Sequence, residues 1–490
     1  VSPWYWFADV ATKSHDTIYA ARTAKVQKSP SVKYRGFFIN DEAPALTGWV
    51  NDRYPKSKYN SAFGAEFYSH VFELLLRLRA NYLWPAMWGS MFGADDLRNQ
   101  PLADEYAIVM GSSHTEPMAR ATKEWSTFGK GGEAGWQWAT NNASLYEFFT
   151  EGAQRAKNYE NVITVGMRGY HDTAMSPDVQ TDVLEAVVEA QEKILREVHG
   201  DETKVPQMWC LYKEVQDYFE AGMQVPDHVT LLWTEDNWQY IRRLPVGDEK
   251  KRSGGAGVYY HFDYVGDPRD YKWINTIQLQ KTYEQMRLAI DREADRLWIV
   301  NVGDIKPYEI PISHWFDIAY DIDAFDEKSV PKWLEDWASK TFDEEHAKGI
   351  AEVLDHYSSL ANMRKFELVE PNSYSVLNYE EADKLLSQWE DIGKKAQTIY
   401  DSLPAAQKPS FFQLILHPVL AGGNYVDVQV AGARNQIYSG QGRNSANKWF
   451  QRVIDGMKTD HLLTKQYHEV ANGKWNHMMD QTHLGYQGYW

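Results

Sequence analysis

The sequence predicts an α/β protein in which a closed (β/α)8 TIM barrel is followed by an all-α helical bundle. Three observations carry that prediction. One unit, an apolar run with a polar or charged tip and then a helical stretch, recurs eight times between Arg35 and Ala324, the series that a closed barrel requires. No glycine-rich GxGxxG turn follows the first run, although an open dinucleotide-binding sheet would usually carry one. After Phe325 such runs stop, and apolar residues continue only at helical spacing.

Residues 1–34 read as the tail of a missing N-terminal domain plus a lead-in segment, because Val1 opens without Met or a signal peptide beside the apolar cluster Pro3-Trp-Tyr-Trp-Phe7. The barrel is assigned to residues 35–325 and the bundle to 326–490. The first strand is Arg35-Gly-Phe-Phe-Ile39, and Phe67, Val71, Leu74, Leu75 and Leu78 mark the helix after Phe63. Residues 81–84 and 106–110 give the second and third strands. The Gly- and Trp-rich stretch 126–141 is long for a compact domain and reads as a lid or binding loop. The fourth strand opens Val162-Ile-Thr-Val165, breaks at Gly166 and leads to Arg168 and Asp172, so it reads as buried on both faces with a site at its end. Ser176-Pro177-Asp178 signals the next helix, and Gly200 stops it. Residues 207–211, 229–233, 257–260 and 296–301 complete the eight. Residues 330–475 read as four or five helices punctuated by Pro404, Pro409, Pro418 and Gly422-Gly423.

Composition narrows the function. A net charge of −17 argues against nucleic acid or an anionic membrane as the main partner, and no apolar run approaches the roughly 20 residues that span a bilayer. With Cys210 as the single cysteine, no intrachain disulfide and no cysteine-based zinc site can form. Twenty Trp and thirty Tyr supply flat faces with polar handles, suited to stacking on sugar rings where they sit at strand tips and to core packing elsewhere.

In a (β/α)8 barrel the working residues lie on the loops after the strands. Those tips hold Asn40, Asp41 and Glu42, then Trp84 and Trp88, His114 and Glu116, Arg168 and Asp172, and Tyr212, Lys213 and Glu214. The last three add Glu235, Asp236, Asn237, His261, Asp263, Tyr264 and Asp304. Metal hydrolysis would want a compact His and carboxylate cluster, but the two histidines sit on separated strands and no HExxH occurs, so no metal and no cofactor is expected. Phosphate chemistry would want glycines after strands seven and eight, whereas Gly254, Gly255 and Gly257 precede strand seven or open it. Glycoside hydrolysis needs two carboxyl groups, aromatic platforms and sugar hydrogen-bonders, and all are present. Asp236 or Asp304 could equally be helix caps, and His114 a satisfied core histidine. Asp41 and Glu214 close strands without obvious cap geometry. Arg168 could pair with a neighbouring acid or clamp a substrate carboxylate.

Arg35-Gly-Phe-Phe-Ile-Asn-Asp-Glu-Ala-Pro-Ala-Leu46, Asn81-Tyr-Leu-Trp-Pro-Ala-Met-Trp88, Gly111-Ser-Ser-His-Thr-Glu-Pro-Met118, Gly166-Met-Arg-Gly169, Trp233-Thr-Glu-Asp-Asn237 and Tyr260-His-Phe-Asp-Tyr264 occur in that order. Together they resemble glycoside hydrolase family 115, and the likeness runs to Gln481-Thr-His-Leu-Gly-Tyr486. The resemblance implies an inverting xylan α-1,2-glucuronidase that removes glucuronic acid or its 4-O-methyl form from glucuronoxylan. It also implies further domains on both sides of this chain. It places pocket residues at Asp41, His114, Arg168, Asp172, Tyr212, Glu214, Asn237, His261 and Tyr264, with Trp84 or Trp88 as the platform, and Asn40 joins them from the first tip. Asp172 is expected as general acid and Glu214, or Asp41, as general base. Where many members have Asp-Gly-Asp after the arginine and glycine, this chain has Tyr170-His171-Asp172. The partner expected is glucuronoxylan or its oligosaccharides, with no nucleic acid or membrane and a homodimer left open. A secreted or extracellular location follows from the family and agrees with the sequon Asn142-Ala-Ser144. The competing reading is a catalytically silent carbohydrate-binding barrel.

Overall fold

A computed structural model describes residues 2–12, 15–41, 43–128, 131–266 and 271–485. Glu42, residues 129–130 of the Gly- and Trp-rich stretch, and Tyr486 therefore lie outside the described residues. Eight parallel strands run β1 Tyr34–Phe38, β2 Tyr82–Trp84, β3 Val109–Met110, β4 Ile163–Thr164, β5 Gln207–Leu211, β6 Thr230–Thr234, β7 Ala256–His261 and β8 Leu297–Asn301. Their order is β3-β2-β1-β8-β7-β6-β5-β4. This is chain order around a ring cut between β3 and β4. The parallel bridge Met110↔Asn161 spans the cut, with the Val162 N–H donating to the Met110 carbonyl at 2.9 Å.

Register decides what faces the barrel axis. Side chains alternate along a strand, so Tyr82 and Trp84, Met208, Cys210 and Tyr212, and Leu297 and Ile299 pack together in one interior cluster with Phe38, Leu232 and Tyr259. The opposite set, including Phe37, Leu83, Trp209, Trp233, Val258 and Trp298, packs outward among the helices. The inward series ends at Tyr212, His261 and Asn301, which places these three at the C-terminal mouth.

Three expectations shift. The third strand keeps only two residues, because helix Asn99–Glu105 runs up to Tyr106 and Ala107 turns with φ 55°. The fourth crossover helix starts at Thr181 rather than beside Ser176, and it ends as expected at left-handed Gly200, φ 88°. The stretch expected as a lid or binding loop is anchored at one point: Trp136 is buried, stands edge-on to Trp125, and gives its indole N–H to the Arg168 carbonyl at 2.9 Å, while its other described residues are exposed or half-buried.

After the barrel, helices Ser329–Thr341, Glu344–Met363, Glu381–Ser402, His417–Gly440 and Ala446–Gly473 form the helical region. The N-terminal segment is wedged between it and the barrel. Trp4 and Phe7 are buried there, and Lys306, itself buried, donates to the Phe7 carbonyl at 2.6 Å, Glu309 at 2.7 Å and Gln413 at 2.9 Å.

Candidate active site

The tip of β4 organises the mouth. Gly166 takes φ 90° with Trp209 so near that a Cβ would lie 2.9 Å from its ring, a position only glycine fits comfortably. Gln191 holds that turn from both sides, accepting from Gly166 N–H at 2.7 Å and donating to its carbonyl at 2.9 Å. The chain thereby delivers Arg168, buried, with its guanidinium between two carboxylates. Nε and Nη2 make a bidentate pair with Glu214 at 2.9 and 2.7 Å, while Nη1 donates to the Asp172 carbonyl at 2.7 Å and to its Oδ1. Such forks fix planar geometry as well as charge.

Asp172 and His171 both sit in the left-handed region, φ 60° and 56°, a conformation that costs energy and tends to persist where function demands it. His114 Nε2 lies 3.0 Å from Asp172 Oδ1. Burial and the Arg168 charge push the His114 pKa well down, so the imidazole is neutral. Glu214 precedes helix Val215–Glu220 without capping it; its carboxylate goes to Arg168 instead.

Beside Asp172 and His114 opens a pocket of about 190 Å³, lined by Asn40, Trp88, His114, Asp172, Tyr212, His261 and Tyr264, with Arg168 and Glu214 just outside the described lining. That is below the roughly 300–1,000 Å³ of drug-sized sites, so it suits a single ring. The Tyr212 and Tyr264 hydroxyls are 3.1 Å apart, the His114 ring lies tilted with its centroid 4.2 Å from that of Tyr212, and His261 Nδ1 is 2.5 Å from Glu235 Oε1. A larger groove of about 1080 Å³ lies in the helical region, but its charges pair with one another, as Arg452 with Asp427 at 2.6 Å and Lys394 with Glu390 at 2.5 Å.

Not every expected residue reaches the pocket. Trp84 is 0% exposed, sits inside the barrel against Phe38 and Tyr259, and donates to the Tyr82 hydroxyl at 2.7 Å. It is core, and Trp88, 36% exposed, is the platform candidate. Trp84→Ala should therefore cost about 3–5 kcal/mol of stability. Trp88→Ala should leave the melting temperature unchanged and raise KM, and thermal melts beside kinetics on both variants check the contrast. Asn237 turns with φ 70° and gives its carbonyl to the Tyr271 hydroxyl at 3.3 Å, and it is absent from the described lining. Asp236 is no helix cap but a turn clamp, accepting from Trp238 and Tyr240 N–H at 2.9 and 3.1 Å.

Asp41 also stands outside the lining. It is buried, accepts from the Thr47 hydroxyl at 2.5 Å, and burial pushes its pKa up to about 6. Burial, and then the Asp41 charge, push neighbouring Asp304 up to about 7, against a bond from Gln481 at 2.9 Å. Both raised groups hold protons that the unfolded chain has released, so stability falls as pH rises from about 4 through 7. Asp304→Asn should flatten that fall by a few degrees in melting temperature between pH 5 and pH 8. An unchanged slope in fluorimetric melts would exonerate the pair.

Asn301, Tyr259 and His171 also line the pocket without having been singled out from the sequence, and Lys213 and Glu116, collected at the strand tips but given no pocket role, line it too. Strand parity would have found Tyr259 and Asn301, since both share the inward face with His261 or Ile299. Glu116 is buried, bonded by the Ser113 hydroxyl, and burial pushes its pKa up to about 7.

The glycosyl hydrolase family 115 profile matches residues 27–368. The chain belongs to that family. A solved family GH115 4-O-methyl-α-glucuronidase, with specificity for decorated arabinogalactans, is similar at 34% identity and a TM-score of 0.89 over 98% of this chain and 64% of that one. This chain thus spans less than two thirds of that relative's length. A family 89 glycoside hydrolase from Clostridium perfringens (11% identity, TM-score 0.58, 96% of this chain and 58% of that one) shares the fold. So does a GH138 enzyme targeting pectin rhamnogalacturonan II (10%, 0.53, 92% and 64%). No curated protein matches by sequence. The matched span takes in all eight strands and every described residue that lines the pocket.

Proposed function

We propose that this family 115 chain is an α-glucuronidase that releases glucuronic acid or its 4-O-methyl form from a decorated polysaccharide by an inverting mechanism. The observation that carries the reading is the pair of carboxylates, Asp172 and Glu214, held on one buried arginine beside a ring-sized pocket. Inversion uses an acid at the leaving oxygen and a base that activates water on the opposite ring face. Asp172 lines the pocket and is assigned the acid, and Glu214 the base. Trp88 and Tyr264 offer faces to the sugar, and Asn40, His114, Tyr212 and His261 offer hydrogen bonds. Lys213 lines the pocket, 5.1 Å over the Tyr212 ring, whereas Arg168 lies outside the described lining, so the uronate carboxylate is assigned to Lys213 and not to the arginine. A silent binding barrel would have no use for two carboxylates held in register.

The main chain is read as xylan with an α-1,2 linkage, from the resemblance of the motifs. A second reading, a glucuronate-bearing arabinogalactan, is favoured by the specificity of the 34%-identical relative. An extracellular setting goes with either, and the sequon residue Asn142 is exposed. Incubation with glucuronoxylan and with acidic arabinogalactan, followed by chromatography of released uronic acid, separates the substrates. Proton NMR of the first product tests the mechanism: the β-anomer must appear before mutarotation. Release from neither polymer would remove the activity.

A further inference from the structure

The loop after β6 carries two large aromatic side chains that core packing does not explain. Trp238 is 41% and Tyr240 50% exposed. They are not on a slack loop: the Asp236 carboxylate binds both their N–H groups, Glu235 Oε2 accepts from Gln239 N–H at 2.7 Å, and Asn237 and Gln239 both take φ 70°. Each left-handed residue is followed by one aromatic, and the clamped turn holds both aromatics outward, a preorganised surface.

Facing them is a cleft of about 470 Å³ between this loop and the end of helix Glu344–Met363, with Lys281, Arg364 and Lys365 in its walls and no acidic residue among the described lining. Among the described residues none of the three cations has a carboxylate within ion-pair distance. Lys281 donates to the Trp238 carbonyl at 2.8 Å and sits 3.6 Å over the Tyr240 ring; Arg364 donates to the Leu368 carbonyl at 2.7 Å; Lys365, buried, donates to the Thr276 hydroxyl at 2.8 Å. Burial and the Lys281 charge hold the Lys365 pKa down to about 7, against the pull of Glu367 and Glu235, so the charge of the cleft rests on Lys281 and Arg364. In a chain of net charge −17, two cations in a wall whose described lining holds no acidic residue leave a local field that attracts an anion. The cleft is also close to the pocket. Lys365 lies 4.2 Å over Tyr271, and Tyr271 stacks at 6.0 Å on Tyr264, which lines the pocket from the other side.

We propose that this cleft is a second glycan-binding site, which takes an acidic sugar of the same polysaccharide whose uronate enters the pocket: aromatic faces for the ring, cations for its carboxylate. The proposal rests on the α-glucuronidase reading for its substrate class. Concavity, two fixed aromatics and adjacency to the pocket favour a sugar over an acidic peptide, and the charge favours a uronate over a neutral branch.

The test uses the full chain and the double variant Trp238→Ala/Arg364→Ala, with Tyr240→Ala as a second probe, since all three side chains are exposed and their loss leaves the core intact. Affinity electrophoresis through gels containing glucuronoxylan or neutral arabinoxylan reads binding. Kinetics on glucuronoxylan and on a small aryl α-glucuronide read catalysis. The double variant should bind glucuronoxylan at least about tenfold more weakly, raise KM on the polymer to match, and hydrolyse the aryl glucuronide as the parent does. Unchanged retention in glucuronoxylan gels, or parent retention by neutral arabinoxylan equal to that by glucuronoxylan, overturns the site. Retention that depends on the cleft in a protein that releases no uronic acid supports the site and sinks the α-glucuronidase reading instead.

Discussion

Asp172→Asn and Glu214→Gln should each fold as the parent does and lower kcat by about 10²–10⁴-fold. The amides keep size and hydrogen-bonding capacity beside Arg168 but transfer no proton. The two losses should be rescued differently. A substrate with a good leaving group needs no protonation at its departing oxygen, so the Asp172 variant should recover on it. The Glu214 variant should recover with azide, which attacks without a base. Rescue in the opposite pattern exchanges the roles. An Asp172 variant that shows no leaving-group dependence moves the proton source to Glu116, whose buried carboxyl lines the same pocket with its pKa pushed up to about 7. Near-parent activity in both variants removes the pair from the chemistry.

The barrel was legible because its grammar is local: β-branched runs with charged ends announce strands whose tips must converge at one face. What sequence could not resolve is orientation. Trp84 and Trp88 lie four residues apart on one tip, yet the first continues the inward parity of Tyr82 and is sealed by Phe38 and Tyr259, while the second has left the strand and opens to the pocket. That difference depends on β1 and β7, contributed from far along the chain. The third strand looked five residues long because Tyr106-Ala-Ile is apolar, but Tyr106 ends a helix half-buried and Ala107 turns in the open, so only Ile108 is buried ahead of the two strand residues. Asp41 shows the same limit, since a tip carboxylate paired with a threonine on the next helix cannot be told by spacing from one facing substrate.

Arg168 is where orientation changes the expected chemistry most. Sequence placed an arginine at the strand tip and offered it a substrate carboxylate; the structure commits its fork to Glu214 through two bonds and to Asp172 through Nη1. In the proposed mechanism it is a positioning residue, which sets the separation and tilt of the two groups assigned to flank the scissile bond. Arg168→Lys keeps the positive charge and loses the fork, and a single ammonium cannot bind both Glu214 oxygens and reach Asp172 together. Misplacement of reacting groups by about 1 Å costs on the order of 10²-fold in rate. The variant should accordingly lose about 100-fold in kcat while KM on a small uronide stays within a few-fold, with the melting temperature close to the parent's. A merely structural arginine would lower the melting temperature and leave the kinetics of the folded fraction intact. A clamp on the uronate would do the reverse of the expected split, raising KM steeply with kcat retained, and that result would return Arg168 to the substrate and release the two carboxylates from its control.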